Sequence, residues 1–215
     1  MARFSSDVDL LKYEPAIFGD LYLAWQVISK GANGAVSVTT FTSTGAKFVT
    51  SKVSIGDVIH LLATGILDGI YEVVSVDSET QLTISALRED SADAAIALPT
   101  ATNIAYRICT YRPQAVEAAF QITEYLGIAP GRPWSEIDSD DIEHPESLKL
   151  VSVFAILASL YATFASTATD EYLWKKSNYY QALYEKYRER LKVSFGSDDG
   201  TEIIKDGSTG KVKRE

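Results

Sequence analysis

Cysteine is almost absent. Cys109 is the only one among 215 residues, which excludes an internal disulfide framework and any metal site built from several thiolates. Histidine is nearly as scarce, with only His60 and His144, and no nucleophile-elbow sequence accompanies either as a Ser-His-Asp hydrolase would require. The 13 glycines are scattered, with no Walker-type run and no strand–Gly-x-Gly–helix phrase to cradle a phosphate. Positive charge is in deficit: 20 Lys and Arg face 29 Asp and Glu, a formal net charge of -9. That balance argues against a dedicated DNA-coating protein. No apolar run reaches the roughly 20 residues needed to cross a bilayer. The nearest, residues 150–165, is diluted by Ser152, Ser159 and Thr163 and adjoins Lys149, and reads as a helix buried between protein neighbours. Residues 1–6 hold no apolar core of the secretory type. The remainder is ordinary globular composition, 46% hydrophobic and 23% charged, enough for one domain or two small ones.

Three zones follow along the chain. Residues 1–30 read as helix and lead-in: Ser6 or Asp7 caps a first turn, Pro15 breaks it, and a second helix is predicted over residues 20–30. Gly31-Ala-Asn-Gly34 reads as a turn. From there to about Tyr111 the chain is rich in Val, Ile, Thr and Gly, alternating with period two. Val36 and Val38 share a face; Val58-Ile-His-Leu-Leu62 follows a Gly56-Asp57 turn. The clearest hairpin joins Ile70-Tyr-Glu-Val-Val-Ser-Val76 to Gln81-Leu-Thr-Ile-Ser85, with Leu82 and Ile84 inward and Gln81, Thr83 and Ser85 outward. Ile104, Tyr106 and Ile108 mark a last strand. Five or six such strands predict a small closed or half-closed barrel. From Pro113 the pattern turns helical, with Val116, Ala119, Phe120, Ile122 and Leu126 on one face and Gly127 as a stop. Pro130-Gly-Arg-Pro133 is a loop. Pro145 and Glu146 open the apolar helix, and Asp170 caps a last one running from 171 to about 193.

The predicted fold is therefore α+β: a discontinuous helical bundle, residues 1–30 and 113–195, with an inserted small antiparallel β-barrel-like module, residues 31–112. Residues 196–215 are too polar for a core and read as a flexible C-terminal tail. The N-terminal helices are too short to stand alone and are expected to pack on those after Pro113.

Few residues suggest chemistry. The acidic run Glu136, Asp138, Asp140, Asp141, Glu143 lacks a calcium loop's spacing, since Ile142 and Glu143 fill its fifth and sixth places. It reads as a solvated loop before the positive end of the next helix. His60 alternates with Ile59 and Leu61 and reads as a strand's outward residue, and Cys109 as a small buried apolar group. No catalytic residue, metal site or cofactor is predicted. The last helix stands out. It carries Lys175, Lys176, Lys186, Arg188, Arg190 and Lys192 against Glu171, Glu185 and Glu189. Lys186, Arg188, Arg190 and Lys192 crowd its end, where they suit the helix's negative pole or an acidic partner or DNA phosphates. Six of the chain's 12 tyrosines lie between Tyr161 and Tyr187. Too many rings on one helix for a monomer core predicts subunit packing, through Phe154, Leu157, Tyr161, Phe164, Tyr172, Tyr179, Tyr180, Tyr184 and Tyr187. In the tail, Thr201, Glu202, Ile203, Ile204 and Lys205 form a stretch suited to adding as a strand to another protein's sheet.

Asp9-Leu-Leu-Lys-Tyr-Glu-Pro15 and Tyr187-Arg-Glu-Arg-Leu-Lys-Val193 resemble the head–tail connector (adaptor) proteins of tailed bacteriophages. Val53-Ser-Ile-Gly-Asp57 and Gly69-Ile-Tyr-Glu-Val-Val-Ser-Val76 are similar to β-modules of phage neck and tail proteins. The resemblance covers residues 1–30 and 113–195, and the large β-insert departs from the minimal pattern. It implies a non-enzymatic virion protein, made in the host cytoplasm and placed at the head–tail junction. Such a protein forms a homo-oligomeric ring, usually dodecameric, beneath the portal protein. The ring extends the DNA channel, docks on the portal through its C-terminal extension and offers a platform to the next neck or tail protein. No membrane is involved. The competing class is a nucleic-acid-binding module with an OB-like β-insert and the basic last helix as contact surfaces. Against it, residues 31–112 hold more acidic than basic side chains.

Overall fold

Ser6 opens the first helix with a capping box: its hydroxyl accepts from the Asp9 amide, and the Asp9 carboxylate accepts from the Ser6 amide at 2.8 Å. This computed structural model describes residues 3–128, 139–168, 170–195, 203–206 and 212–214. The helix, α1 (Asp7–Leu11), ends before Pro15, and a single 3-10 turn follows at Pro15–Ile17.

The helix predicted over 20–30 is absent. Ala24–Gln26 is one 3-10 turn, and the chain then extends as β1 (Val27–Val38). Val27 and Ile28 are β-branched and favour extended backbone, and β1 pairs antiparallel with β6 (Leu98–Cys109). Gly31 and Gly34 are correspondingly not a turn but lie within β1, at register shifts against β6. Val38 turns out of the strand with φ at 60° and is exposed, so it does not share the face of buried Val36.

Four more strands, β2 (Thr40–Thr42), β3 (Val58–Ala63), β4 (Leu67–Val76) and β5 (Gln81–Ser85), complete a closed antiparallel barrel in the order β1-β2-β5-β4-β3-β6. The period-two pattern sets its inside: Ile59 and Leu61 of β3, Leu82 and Ile84 of β5, and Ile104, Tyr106 and Ile108 of β6 are buried. Phe41, Phe48 and Tyr106 fill the centre, with ring centroids 5.1–6.1 Å apart. Ser85, expected outward, is fully buried; its hydroxyl donates to the Ala86 carbonyl and accepts from the Ile96 amide at 2.7 Å. Six strands in full closure also differ from the five-stranded, partly open OB-fold.

Two compact units result: Ser6–Tyr111, and Met1–Ser5 with Arg112–Glu215. Residues 6–30 thus belong to the barrel unit and not to the helical one. Tyr111 holds them there, its amide donating to Asp7 Oδ1 at 2.9 Å and its hydroxyl to the Ile17 carbonyl at 2.6 Å. In sequence the barrel unit is still an insertion, because Ser5 bonds Ser152 across the hydroxyls at 2.8 Å within the other unit.

That second unit contains α2 (Arg112–Tyr125), α3 (Lys149–Ala168) and α4 (Glu171–Arg188), the last capped by Asp170 through the Tyr172 amide. Gly127, with φ at 70°, follows the end of α2. The basic helix stops at Arg188 rather than 193, and Lys192–Phe195 forms β7. Ile203–Asp206 (β8) and Val212–Arg214 (β9) lie within the segment read as a flexible tail, yet pair with it as an antiparallel sheet in the order β7-β8-β9. The stretch Pro145–Ser166 is long and apolar enough to cross a membrane, but 67% of its most apolar window is buried inside the chain, as in a core helix.

Candidate functional site

The nine residues predicted to pack between subunits divide sharply. Phe154, Leu157, Tyr161 and Phe164 of α3 and Tyr180 and Tyr184 of α4 are buried within the chain itself. Tyr161 and Tyr180 stack at 5.8 Å, and Phe154 meets Tyr187 at 5.3 Å. Ser177 donates to the Ala158 carbonyl at 2.9 Å, which fixes how α4 lies along α3. The apolar face of α3 is therefore covered mainly by the aromatic face of α4, and the surplus of rings is much smaller than the sequence implies. What remains outside is Tyr172 at 62%, Tyr179 at 60% and Trp174 at 46% exposure. Tyr172 and Tyr179 are seven residues apart and share a side of the helix. Lys176 stands between the two sets: its ammonium donates to the Tyr161 hydroxyl at 3.2 Å and lies 5.8 Å from the Tyr172 ring.

The four basic residues at the helix end also separate. Arg188 is not a free cation: its guanidinium lies 4.3 Å from the Tyr125 ring and 5.0 Å from that of Tyr184, tying the ends of α2 and α4 by cation–π attraction. Lys186, Arg190 and Lys192 are exposed. Of the tail residues, Thr201 and Glu202 lie outside the described residues, as do Glu136 and Asp138 of the acidic run. Ile203, Ile204 and Lys205 pair with Phe195, Ser194 and Val193 while β9 pairs along their other side. Their backbone is thus already used on both edges. Ile142 bridges Phe195, and the Glu143 amide donates to the Ser194 carbonyl at 3.2 Å, so the acidic turn leans on β7.

A second site lies wholly within the barrel unit. Strand register sets His60 of β3 opposite Arg107 of β6 and diagonal to Asp68 of β4, all on the outer face. Arg107 donates to His60 Nδ1 at 3.2 Å and to the Phe18 and Gly19 carbonyls at 2.9 and 2.6 Å, and its guanidinium stacks 3.6 Å from the Tyr22 ring. His60 thus faces Arg107 through Nδ1 and lies 3.4 Å from Asp68 Oδ1 through Nε2. Both ring nitrogens are engaged, so the imidazole is held as a bridge and not aimed at a hydroxyl. Sequence reasoning missed Arg107, Asp68 and Tyr22. The available signal was a lone arginine inside the otherwise apolar phrase Ile104-Ala-Tyr-Arg-Ile108.

Beside this network runs an open groove of about 540 Å³, walled by Leu11, Pro15, Ile70 and Leu87, with Asp20, His60 and Asp68 as its ionisable lining. No serine, threonine or cysteine is among its described lining residues. Deeper in the unit, Cys109 is buried, and burial pushes its thiol up to about 11; burial raises the Tyr111 phenol as well. Neither group supplies an anion near neutral pH. His144 lies in the other unit, exposed beside Glu146 at 3.2 Å.

Compared with known proteins, the chain matches no family model, and neither the curated proteins nor the solved structures include a significant match.

Proposed function

We propose that this chain is a structural virion protein of the phage neck. It is a head–tail connector that forms a homo-oligomeric ring under the portal protein, extends the DNA channel and provides a platform for tail attachment. On this reading α2, α3 and α4 form the bundle of each ring subunit, and the barrel is an inserted module facing a neighbouring neck component. The observation that carries it is the exposed pair Tyr172 and Tyr179 on one side of α4, with Trp174 exposed on another side. Exposed aromatics of this kind are enriched where a partner protein covers a surface. The net charge of -9 suits a conduit, because a strongly basic bore would grip passing DNA.

Sedimentation and negative-stain imaging of the purified chain test the reading. A closed ring is expected, alone or on addition of portal protein. The double change Tyr172→Ser, Tyr179→Ser should leave the circular-dichroism spectrum unchanged and abolish the ring. A chain ending at Phe195 should keep its helices and lose co-sedimentation with portal. A monomer under all these conditions that shifts duplex DNA with steep salt dependence would instead favour the exposed Lys186, Arg190 and Lys192 as phosphate contacts.

A further inference from the structure

The groove on the barrel unit combines two features. Its walls are aliphatic, from Leu11, Pro15, Ile70 and Leu87, and its volume of about 540 Å³ is within the ~300–1,000 Å³ of small binding clefts. Its polar lining is of one sign. Asp20 is exposed and Asp68 has 72% of its side chain in solvent, while His60 is already engaged by Arg107 and Asp68. Arg107 directs Nη2 at the Phe18 and Gly19 carbonyls and at His60. A ligand suited to this surface has an aliphatic stem that lies on the walls and a cationic head that reaches the carboxylates. Long basic side chains have that construction.

The chain supplies such a ligand. At the end of α4, Lys186, Arg190 and Lys192 are exposed. Arg190 lies in the turn just past the helix and Lys192 opens β7, on either side of buried Leu191. Of the acidic residues among them, Glu185 accepts from Gln181 at 2.8 Å and Glu189 is exposed beside Arg190.

We propose that the groove of one copy receives the Arg190–Lys192 segment of a second copy, with Lys186 adding to the same contact. An acidic groove and a basic segment are different surfaces of one chain, so their pairing is heterologous, the type of contact that closes rings. This deepens the connector reading by naming one contact of the ring, and it rests on that reading.

Charge exchange tests it in the full-length chain, followed by sedimentation velocity across concentration. The groove variant Asp20→Lys, Asp68→Lys and the segment variant Lys186→Glu, Arg190→Glu, Lys192→Glu should each raise the assembly midpoint at least tenfold. An equimolar mixture of the two should recover assembly, because the reversed groove now meets a reversed segment. Circular dichroism guards against misfolding, and the milder Asp20→Asn, Asp68→Asn should shift the midpoint in the same direction. Assembly of the wild-type chain that none of these changes moves overturns the groove contact and leaves the ring intact. A wild-type chain that stays monomeric at millimolar concentration, both alone and with portal protein added, overturns both.

Discussion

A methyl group placed on Gly34 would lie 2.6 Å from the Phe41 ring and 3.1 Å from the Ile104 carbonyl. Phe41 is itself fully buried and edge-on to Tyr106 at 5.1 Å, so the ring has nowhere to retreat. Gly34→Ala should therefore cost about 1–3 kcal/mol, the usual range for overpacking a filled core. A methyl group placed on Gly45 would meet nothing within 4 Å beyond its chain neighbours. Gly45→Ala should be neutral or stabilise by about 0.4–1 kcal/mol through the unfolded chain. Urea denaturation of both variants against wild type checks the pair, and equal midpoints would contradict the account. Gly31 and Gly34 also show why part of the fold was illegible. Locally, Gly31-Ala-Asn-Gly34 has turn composition. The rings that demand glycine there, Tyr106 and Phe41, sit on other strands, and nothing within the four residues announces them. Arg107 is the converse case. It is visible as a charge in an apolar strand, but its partners, the Phe18 and Gly19 carbonyls, carry no side-chain signal at all.

At the scale of elements, legibility followed periodicity. The hairpin of β4 and β5 and the apolar span of α3 were plain, because alternation and continuous apolarity each admit one good burial. The segment over 20–30 was not, since Leu21, Leu23, Trp25 and Val27 alternate as a strand does while Leu21, Ala24, Trp25 and Ile28 fall on one helical face, and pairing of β1 with β6 decided it. For α4 the sequence showed an excess of rings but not their division. Leu173, Ser177, Tyr180 and Tyr184 form the buried line, spaced by four, three and four, while Tyr172 and Tyr179 fall on the neighbouring strip. The excess read as intersubunit surface is thus largely intramolecular seam. Tyr180→Ala should cost about 3–5 kcal/mol, as large aromatic truncations in cores do, since it removes the stacks on Tyr161 and Phe154. Tyr179→Ala, adjacent in sequence, should change stability by less than about 1 kcal/mol, as exposed positions do. Thermal unfolding of the two variants measures the contrast. Similar losses would mean that α4 is rotated from the register described.

For the whole molecule, the partition at Tyr111 governs what each part can do alone. The predicted boundary at residue 31 assigned the first helices to the bundle, on the reasoning that short helices need a partner. They do need one, and it is the barrel unit: Asp7 accepts from the Tyr111 amide, Ile17 accepts from its hydroxyl, and Phe18 lies 5.2 Å from its ring. The first and last turns of the unit are thereby fastened to each other. A closed barrel also leaves no strand edge for the other half of the chain to satisfy. At just over 100 residues the unit is of the size at which single domains commonly fold by themselves. A fragment of residues 6–111 should therefore be β-rich by circular dichroism, give dispersed amide resonances and unfold in one cooperative transition. A fragment of residues 31–111, cut at the boundary the sequence suggested, should not. It loses Val27 to Lys30 from β1, together with the Phe18 and Gly19 carbonyls that accept from Arg107 Nη2. If the shorter fragment proves as stable as the longer one, the N-terminal segment is a passenger on the barrel, and the groove it helps to wall is not a built feature.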